Sequence, residues 1–292
     1  MKKCVLILTI VLLFLCACGR QEAVPVVVSA PPTIAARETL PANRTVRVAV
    51  SELLAQSALL SRIQTRFEQE TDYKLEFAPA ANSTVVSVGQ SGKADVLLVQ
   101  QGTAASQFIA AGYGTREIPF LTDSLVLAGP ADDPAQVGSA QDISQAMIRI
   151  ATSGATFVSR YDDSDVYRAE TRLWADAGII IGNGRDWYTA ARLGAAGTLQ
   201  TAQEKGAYTV AQREAFLREK TDLRIFMQDV PGLQNTYCVI PVSVGQFESV
   251  NADGAEAFVE WLTGDGTKSW IGDFGTEDFG RPLFDMTNTM EG

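Results

Sequence analysis

The chain has 292 residues and is 46% hydrophobic, enough for one or two packed domains of ordinary size. Its 34 acidic and 24 basic residues leave a formal charge of −10, which argues against a nucleic-acid binder with a basic stripe. It contains no histidine, so a Ser-His-Asp triad, a Cys-His pair, a histidine-rich zinc site and the usual neutral-pH general base are excluded together.

Residues 1–18 open with the basic pair Lys2-Lys3, followed by an apolar run from Val5 to Leu15 that is too short to span a bilayer comfortably. The run ends in Leu15-Cys16-Ala17-Cys18, which resembles a bacterial lipobox with Cys18 as the lipidated first mature residue. An uncleaved signal anchor is the alternative. Processing would remove two lysines and no acid, so the mature charge becomes −10 − 2 = −12. Cys4 and Cys16 would leave with the leader, and Cys238 alone would remain as a free thiol. It sits in an apolar run, Tyr237 to Ile240, and is expected to be a small buried hydrophobe. Residues 19–43 hold Pro25, Pro31, Pro32 and Pro41 without a helical period, and read as a tether with a reach of about 75 Å. A domain tethered outside a membrane captures solutes, senses, works on the wall or adheres.

From residue 44 onwards strands and helices alternate. Residues 45–50 read as a buried strand, and Leu60, Ile63 and Phe67 share a helix face after it. Residues 73–78 and 94–99 read as further strands, the latter introduced by a Ser91-Gly-Lys93 turn. Residues 124–128 form a strand that ends at Gly129-Pro130. Ile143, Ala146, Met147 and Ile150 lie at helical spacing; residues 157–158 start a short strand, and 163–177 a helix. Residues 223–226 and 237–242 read as strands. Ala255, Phe258, Val259 and Leu262 mark another helix, and a last one passes through Trp270 and Phe274. Strands separated by helices indicate βαβ units and an α/β fold. Ligands in such folds bind beyond the carboxyl ends of parallel strands, which directs attention to the loops 51–57, 80–84, 100–103 and 159–165.

Several segments then carry a family likeness: Ala94 to Val99, Ala111-Gly-Tyr-Gly114, Gly129-Pro-Ala-Asp-Asp-Pro134, Phe157-Val-Ser-Arg160, Glu204 to Thr209, Ala257 to Thr263, and Phe274 to Phe284. Together, across residues 45–285, they resemble the periplasmic tungstate-binding proteins of ABC importers. The resemblance implies an α/β, two-lobed type II periplasmic-binding-protein fold, each lobe a mostly parallel sheet flanked by helices. It divides the chain into lobe 1 (44–124 and 238–292) and lobe 2 (125–237). It also implies a lipid-anchored, extracytoplasmic, monomeric receptor with an ABC permease as partner, no cofactor, no metal site and no catalysis.

The ligand loops depart from that family. Its threonine-rich TTTS-type run becomes Val50-Ser51-Glu52-Leu53, while Ser57 matches a family serine. A Gly-Thr-Gly turn becomes Ala81-Asn82-Ser83, without the glycines that allow close backbone approach. The motif SRGDDSGTH becomes Ser159-Arg160-Tyr161-Asp162-Asp163-Ser164-Asp165-Val166-Tyr167, and paired arginines become Arg116-Glu117. The candidate ligand residues are therefore Ser51, Glu52, Ser57, Asn82, Ser83, Arg116, Ser159, Arg160, Tyr161, Ser164, Asp165 and Tyr167. With acids at 52, 117 and 165, weak or absent oxyanion binding and a neutral or cationic ligand are expected. Two alternatives stay open: retained oxyanion binding, and a non-transport sensor or assembly lipoprotein that kept the fold alone. The cluster Asp162 to Asp165 lacks the glycine and the bidentate glutamate of a calcium loop and reads as a helix cap. Tyr161, Tyr167, Trp187 and Tyr188 either line a pocket for an organic ligand or fill the space vacated by the glycines.

Overall fold

The computed structural model describes residues 43–162, 164–182 and 185–286, the side chains of Asn82 and Ser83 excepted. The leader, Cys18 and nearly all of the tether lie outside the described residues. The chain begins with β1 (Thr45–Ser51), whose alternate residues Val46, Val48 and Val50 enter one core while Ala49 enters another. Burial on both faces makes β1 a central strand. After it come the short α1 (Glu52–Ala55), α2 (Ala58–Glu70), β2 (Lys74–Ala80), α3 (Asn82–Gln90), β3 (Val96–Gln100) and α4 (Thr103–Ala110). On α2, Leu59, Leu60, Ile63 and Phe67 form the buried stripe that holds the helix against the sheet.

The next strand, β4 (Ile118–Gly129), is twelve residues long and almost wholly buried. It leads to α5 (Ile143–Ser153), capped by Asp142 and closed by the left-handed Gly154, and to β5 (Phe157–Ser159). Then follow α6 (Asp165–Asp176), β6 (Tyr188–Ala190), α7 (Gly194–Lys205), β7 (Thr209–Gln212), α8 (Arg213–Glu219) and β8 (Arg224–Gln228). The chain returns through β9 (Gln234–Pro241) and closes with α9 (Ala252–Thr263), α10 (Asp265–Gly272), α11 (Thr276–Phe279) and β10 (Phe284–Met286).

The main sheet runs β2-β1-β3-β9-β4-β10. β1 pairs in parallel with β2 and β3, while β9 lies antiparallel between β3 and β4. β4 changes partners along its length: Ile118 to Ser124 pairs with β9, whereas Leu125 to Gly129 pairs with β7 and β8. One unbroken strand thus passes from one lobe into the other, and β9 starts opposite its turning point, with Gln234 facing Ser124. The register slips between Pro119 and Leu121, where proline lacks the N–H a ladder needs.

The α/β class and the type II lobes stand, but the mostly parallel pairing needs correction. It holds for β2-β1-β3, for β5 with β6 and for the single bridge from Phe157 to Tyr208, and the other strand pairings among the described residues in the main sheet are antiparallel. Two long strands that cross between lobes must run opposite to each other, and β7 and β8 fold back on one of them. Cys238 is buried and free, as expected, with its thiol donating to the Val99 carbonyl at 3.4 Å.

Candidate functional site

The carboxyl ends of β1 and β3 place Ser51 and Gln100 beside Tyr237 of β9. Ser51 and Tyr237 are wholly buried, and neither hydroxyl meets a partner in full hydrogen-bond geometry, although Ser51 lies near enough to favour the phenolate. Burial pushes the Tyr237 phenol well above its ordinary pKa, with the carboxylates of Asp123 and Asp165 adding to the rise and Ser51 opposing it. Tyr237 and Asp123 lie on one face of the β4–β9 ladder, and the Ser51 hydroxyl and the Asp165 carboxylate act on the same phenol. Asp123 accepts from Gln212 Nε2 at 2.8 Å through one oxygen, while its Oδ1 is buried without a partner. Burial raises its pKa to about 7 although Gln212 and Arg213 work in the other direction. Asp165 repeats the pattern: Oδ1 meets Arg168 Nε at 3.3 Å, and Oδ2 is buried and unpartnered.

Two features close this junction from the β1 side. Leu53, on α1, is 3% exposed and packs into the core of lobe 2 with Val166 and Ala169 of α6. An apolar side chain from α1 thus joins the core that α6 helps to form. Further along, the first amide of α2, Ala58 N, donates to Glu214 Oε1 at 3.1 Å. Glu214 comes from α8 in the opposite lobe, and its other oxygen is buried without a partner. A helix N-terminus favours an anion, and here the chain's own carboxylate supplies it. Burial raises the Glu214 pKa, with the Ala58 amide and Arg218 as partial compensation. Ser57 turns its hydroxyl back to the Leu54 carbonyl at 2.7 Å, and Glu52, near the surface, accepts from Gln56 at 3.1 Å.

In the third loop the hydroxyls and the cation are already engaged. Ser159 Oγ donates to Glu170 Oε2 at 2.8 Å and accepts from Tyr161 N at 3.1 Å. Arg160 Nε pairs with Asp162 at 2.7 Å. Burial would raise the Asp162 pKa, but hydrogen bonds from Ser164 and Arg160 outweigh it and hold the carboxyl low. Ser164 caps α6 by accepting from Tyr167 N at 3.3 Å, the role the acidic cluster suggested. Beneath the loop lies Glu170, which also accepts from Tyr188 Oη at 2.7 Å and Trp174 Nε1 at 3.3 Å; burial lifts its pKa to about 7.

Of the residues singled out in the sequence, Ser51 and Asp165 each leave a buried oxygen without a partner, while Ser159, Arg160 and Ser164 bond within the chain at the loop before α6. Tyr161 of that loop and Tyr167 of α6 meet with their rings tilted by 46° and centroids 5.2 Å apart. The side chains of Asn82 and Ser83 lie outside the described residues. Arg116 is a correction: it sits at the far end of the sheet, next to Thr115, which bonds the Pro241 carbonyl opposite the start of β3. There it pairs with Glu256 of α9 at 2.5 Å and does not reach the cleft. Tyr237, Asp123, Glu214 and Glu170 were not singled out. Asp123 had a signal, an acid inside the apolar run 118–129, where charge is rare without a role.

Comparison with known proteins places this geometry in context. A family model described as a PBP superfamily domain matches residues 35–266. The tungstate-binding protein TupA of Peptoclostridium acidaminophilum is 34% identical over 251 residues, covering 85% of this chain and 87% of that protein. Among solved structures, the tungstate-binding protein TupA from Desulfovibrio alaskensis G20 aligns with a TM-score of 0.75 at 29% identity, over 83% of this chain and 98% of that one. The tungstate ABC transporter structure from Geobacter sulfurreducens aligns with a TM-score of 0.65 at 29% identity, covering 79% and 98% respectively.

Proposed function

The chain belongs to the PBP superfamily and to the family of tungstate-binding, solute-binding proteins of ABC transporters, and from that premise we propose that it serves an importer as a receptor whose cleft has changed its ligand. The family is one of solute-binding proteins and not of enzymes. One observation carries the proposal: Ser51 Oγ, Tyr237 Oη, Asp123 Oδ1 and Asp165 Oδ2 are all buried and unpartnered at the junction of the lobes. Each such group costs about 1–3 kcal/mol when left unsatisfied, and two of the four are carboxylate oxygens that ask for donors. A neutral polar ligand or a small cation answers that request.

A tetrahedral dianion does not. At about 4 Å from one carboxylate it meets a repulsion of roughly 8 kcal/mol at an effective dielectric of 20. Neutral donors would have to outweigh this; Ser57, Ser159 and Ser164 already bond within the chain, which leaves the Ser51 and Tyr237 hydroxyls. The amide at the start of α2, a natural anion receptor, holds Glu214 instead.

The reading extends to the whole protein. Lobe 1 comprises 44–124 and 238–292, and lobe 2 comprises 125–237, a division supported by the change of partners along β4 at Ser124 and Leu125. Lipid on Cys18 and the proline-bearing tether would hold a monomeric receptor outside the membrane, within reach of its permease. A second reading, a sensor or assembly protein that has lost its ligand, is favoured by Leu53, an apolar residue in a ligand loop, being buried in the core with α6.

Native mass spectrometry of the protein purified from its own cells separates these. A neutral or cationic small-molecule adduct supports the changed receptor, and a tungstate or molybdate adduct overturns it. Persistent absence of any adduct favours the second reading. The same spectrum carries a diacylglyceryl mass on Cys18 if the anchor is present.

A further inference from the structure

A cavity of about 760 Å³ lies on the flank of lobe 2, between α6 and the strand β6. None of Ser51, Asp123, Asp165 and Tyr237 lines it, so it is separate from the junction described above. Its character comes from Tyr161, Tyr167, Tyr188, Ile180, Arg185 and Arg192.

Three observations bear on its occupant. First, Tyr161 and Arg192 both adopt left-handed backbone, with φ of 47° and 56°. That conformation suits glycine, and a bulky residue there is strained. The two strained residues meet, with the Arg192 guanidinium 4.9 Å from the Tyr161 ring centroid. Strain held at two facing positions of one cavity points to the side chains being needed there.

Second, among the described residues no acidic side chain lines the cavity and neither arginine has a carboxylate partner. Arg185 donates to the Ile180 carbonyl at 3.0 Å and lies over Trp187 at 5.6 Å. In a chain of net charge −10, two cations left without acids at one concavity mark a local anion preference. The acids elsewhere matter little at contact range, since physiological salt screens exposed charges beyond about 8 Å.

Third, the walls are aromatic and set. Tyr188 turns its hydroxyl inward to Glu170, leaving its ring for the cavity, and Tyr161 packs against Tyr167 with the two rings tilted by 46°. The volume corresponds to about 25 waters, in the range of pockets for organic molecules and far above the needs of an inorganic oxyanion.

We propose that this cavity is a second binding site, independent of the cleft, for a small aromatic carboxylate. The ring lies against Tyr161, Tyr167 and Ile180, and the carboxylate faces Arg192 with Arg185 in support. Planar guanidinium groups suit that acid group, and arginine also stacks on aromatic faces.

The test is a calorimetric titration of the purified protein with 4-hydroxyphenylacetate and with tyramine, which keeps the ring and replaces the acid with an amine. The carboxylate should bind saturably with one site, and tyramine at least ~10-fold more weakly, as a charge-assisted contact requires. Arg192→Gly and Tyr161→Gly should each weaken the carboxylate by ~10-fold or more while keeping the native circular dichroism, because glycine fits both backbone positions. No saturable binding, equal affinity for tyramine, or wild-type affinity in the folded Arg192→Gly protein would each overturn the assignment.

Discussion

Three donors converge on the Glu170 carboxylate: the hydroxyls of Ser159 and Tyr188 and the indole of Trp174. Removing the acceptor would orphan all three in a buried pocket, at about 1–3 kcal/mol for each buried group. Glu170→Ala should therefore lower the unfolding free energy by about 3 kcal/mol in urea titrations, and Glu170→Gln by clearly less, because an amide oxygen still accepts. Asp123 gives the second prediction at this scale. Its folded pKa of about 7 stands above the ordinary value of 3.8, so the folded protein binds the extra proton between those limits. The stability it contributes is fully present below about pH 4 and is lost as pH rises through 7. Asp123→Asn should gain on wild type by about 2 kcal/mol between pH 5 and pH 8, read from urea midpoints at each pH. Glu170 titrates in the same sense, whereas Asp162 and Asp133, held low by their hydrogen bonds, act in the opposite one. At this scale little of the site was legible in the sequence. Ser51 and Asp165 stood out because they follow a strand and start a helix. Tyr237 and Glu214 reach the junction only through long-range pairing that no local pattern reports.

Among the elements, α1 is where sequence and function are most tightly joined. Leu53 looks in the sequence like an apolar replacement in a ligand loop, and in the fold it packs into the core of lobe 2. Burying a leucine is worth about 1.5–3 kcal/mol, so Leu53→Ser should shift the closed-to-open ratio by a factor of roughly ten to a hundred. Small-angle scattering of the unliganded protein would show it as a larger radius of gyration; an unchanged profile would mean that Leu53 does not hold the lobes together. Elements with strong periodicity were readable. The spacing of Ile143, Ala146, Met147 and Ile150 marks α5, and that of Ala255, Phe258, Val259 and Leu262 marks α9. By contrast α7 has one large apolar residue, Leu199, among small and polar ones, and gives no stripe to read. The end of β7 runs directly into α8 at Arg213, so no turn residues separate them. β4 was read as residues 124–128 because Asp123 and Ser124 interrupt the apolar run; both are buried because Gln212 and Asp229 meet them from lobe 2.

For the molecule as a whole, the missing histidines and the acidic balance have acquired positions. The charge of −10 is mostly surface, but Asp123, Asp165 and Glu214 bring acid to the surfaces where the lobes meet. Arg213, itself nearly buried, spans the crossing by bonding Asp229 at 2.7 Å and the Leu283 carbonyl. The fold of a tungstate receptor is thus retained around a junction whose open groups are two carboxylate oxygens and two hydroxyls and whose helix amide is already taken. Isothermal titration with tungstate, beside the TupA protein of Peptoclostridium acidaminophilum as reference, tests this most directly. The account predicts no saturable heat, or binding weaker than the reference by at least about 1,000-fold, since 4 kcal/mol of lost attraction is already that factor. A nanomolar dissociation constant for tungstate would contradict it.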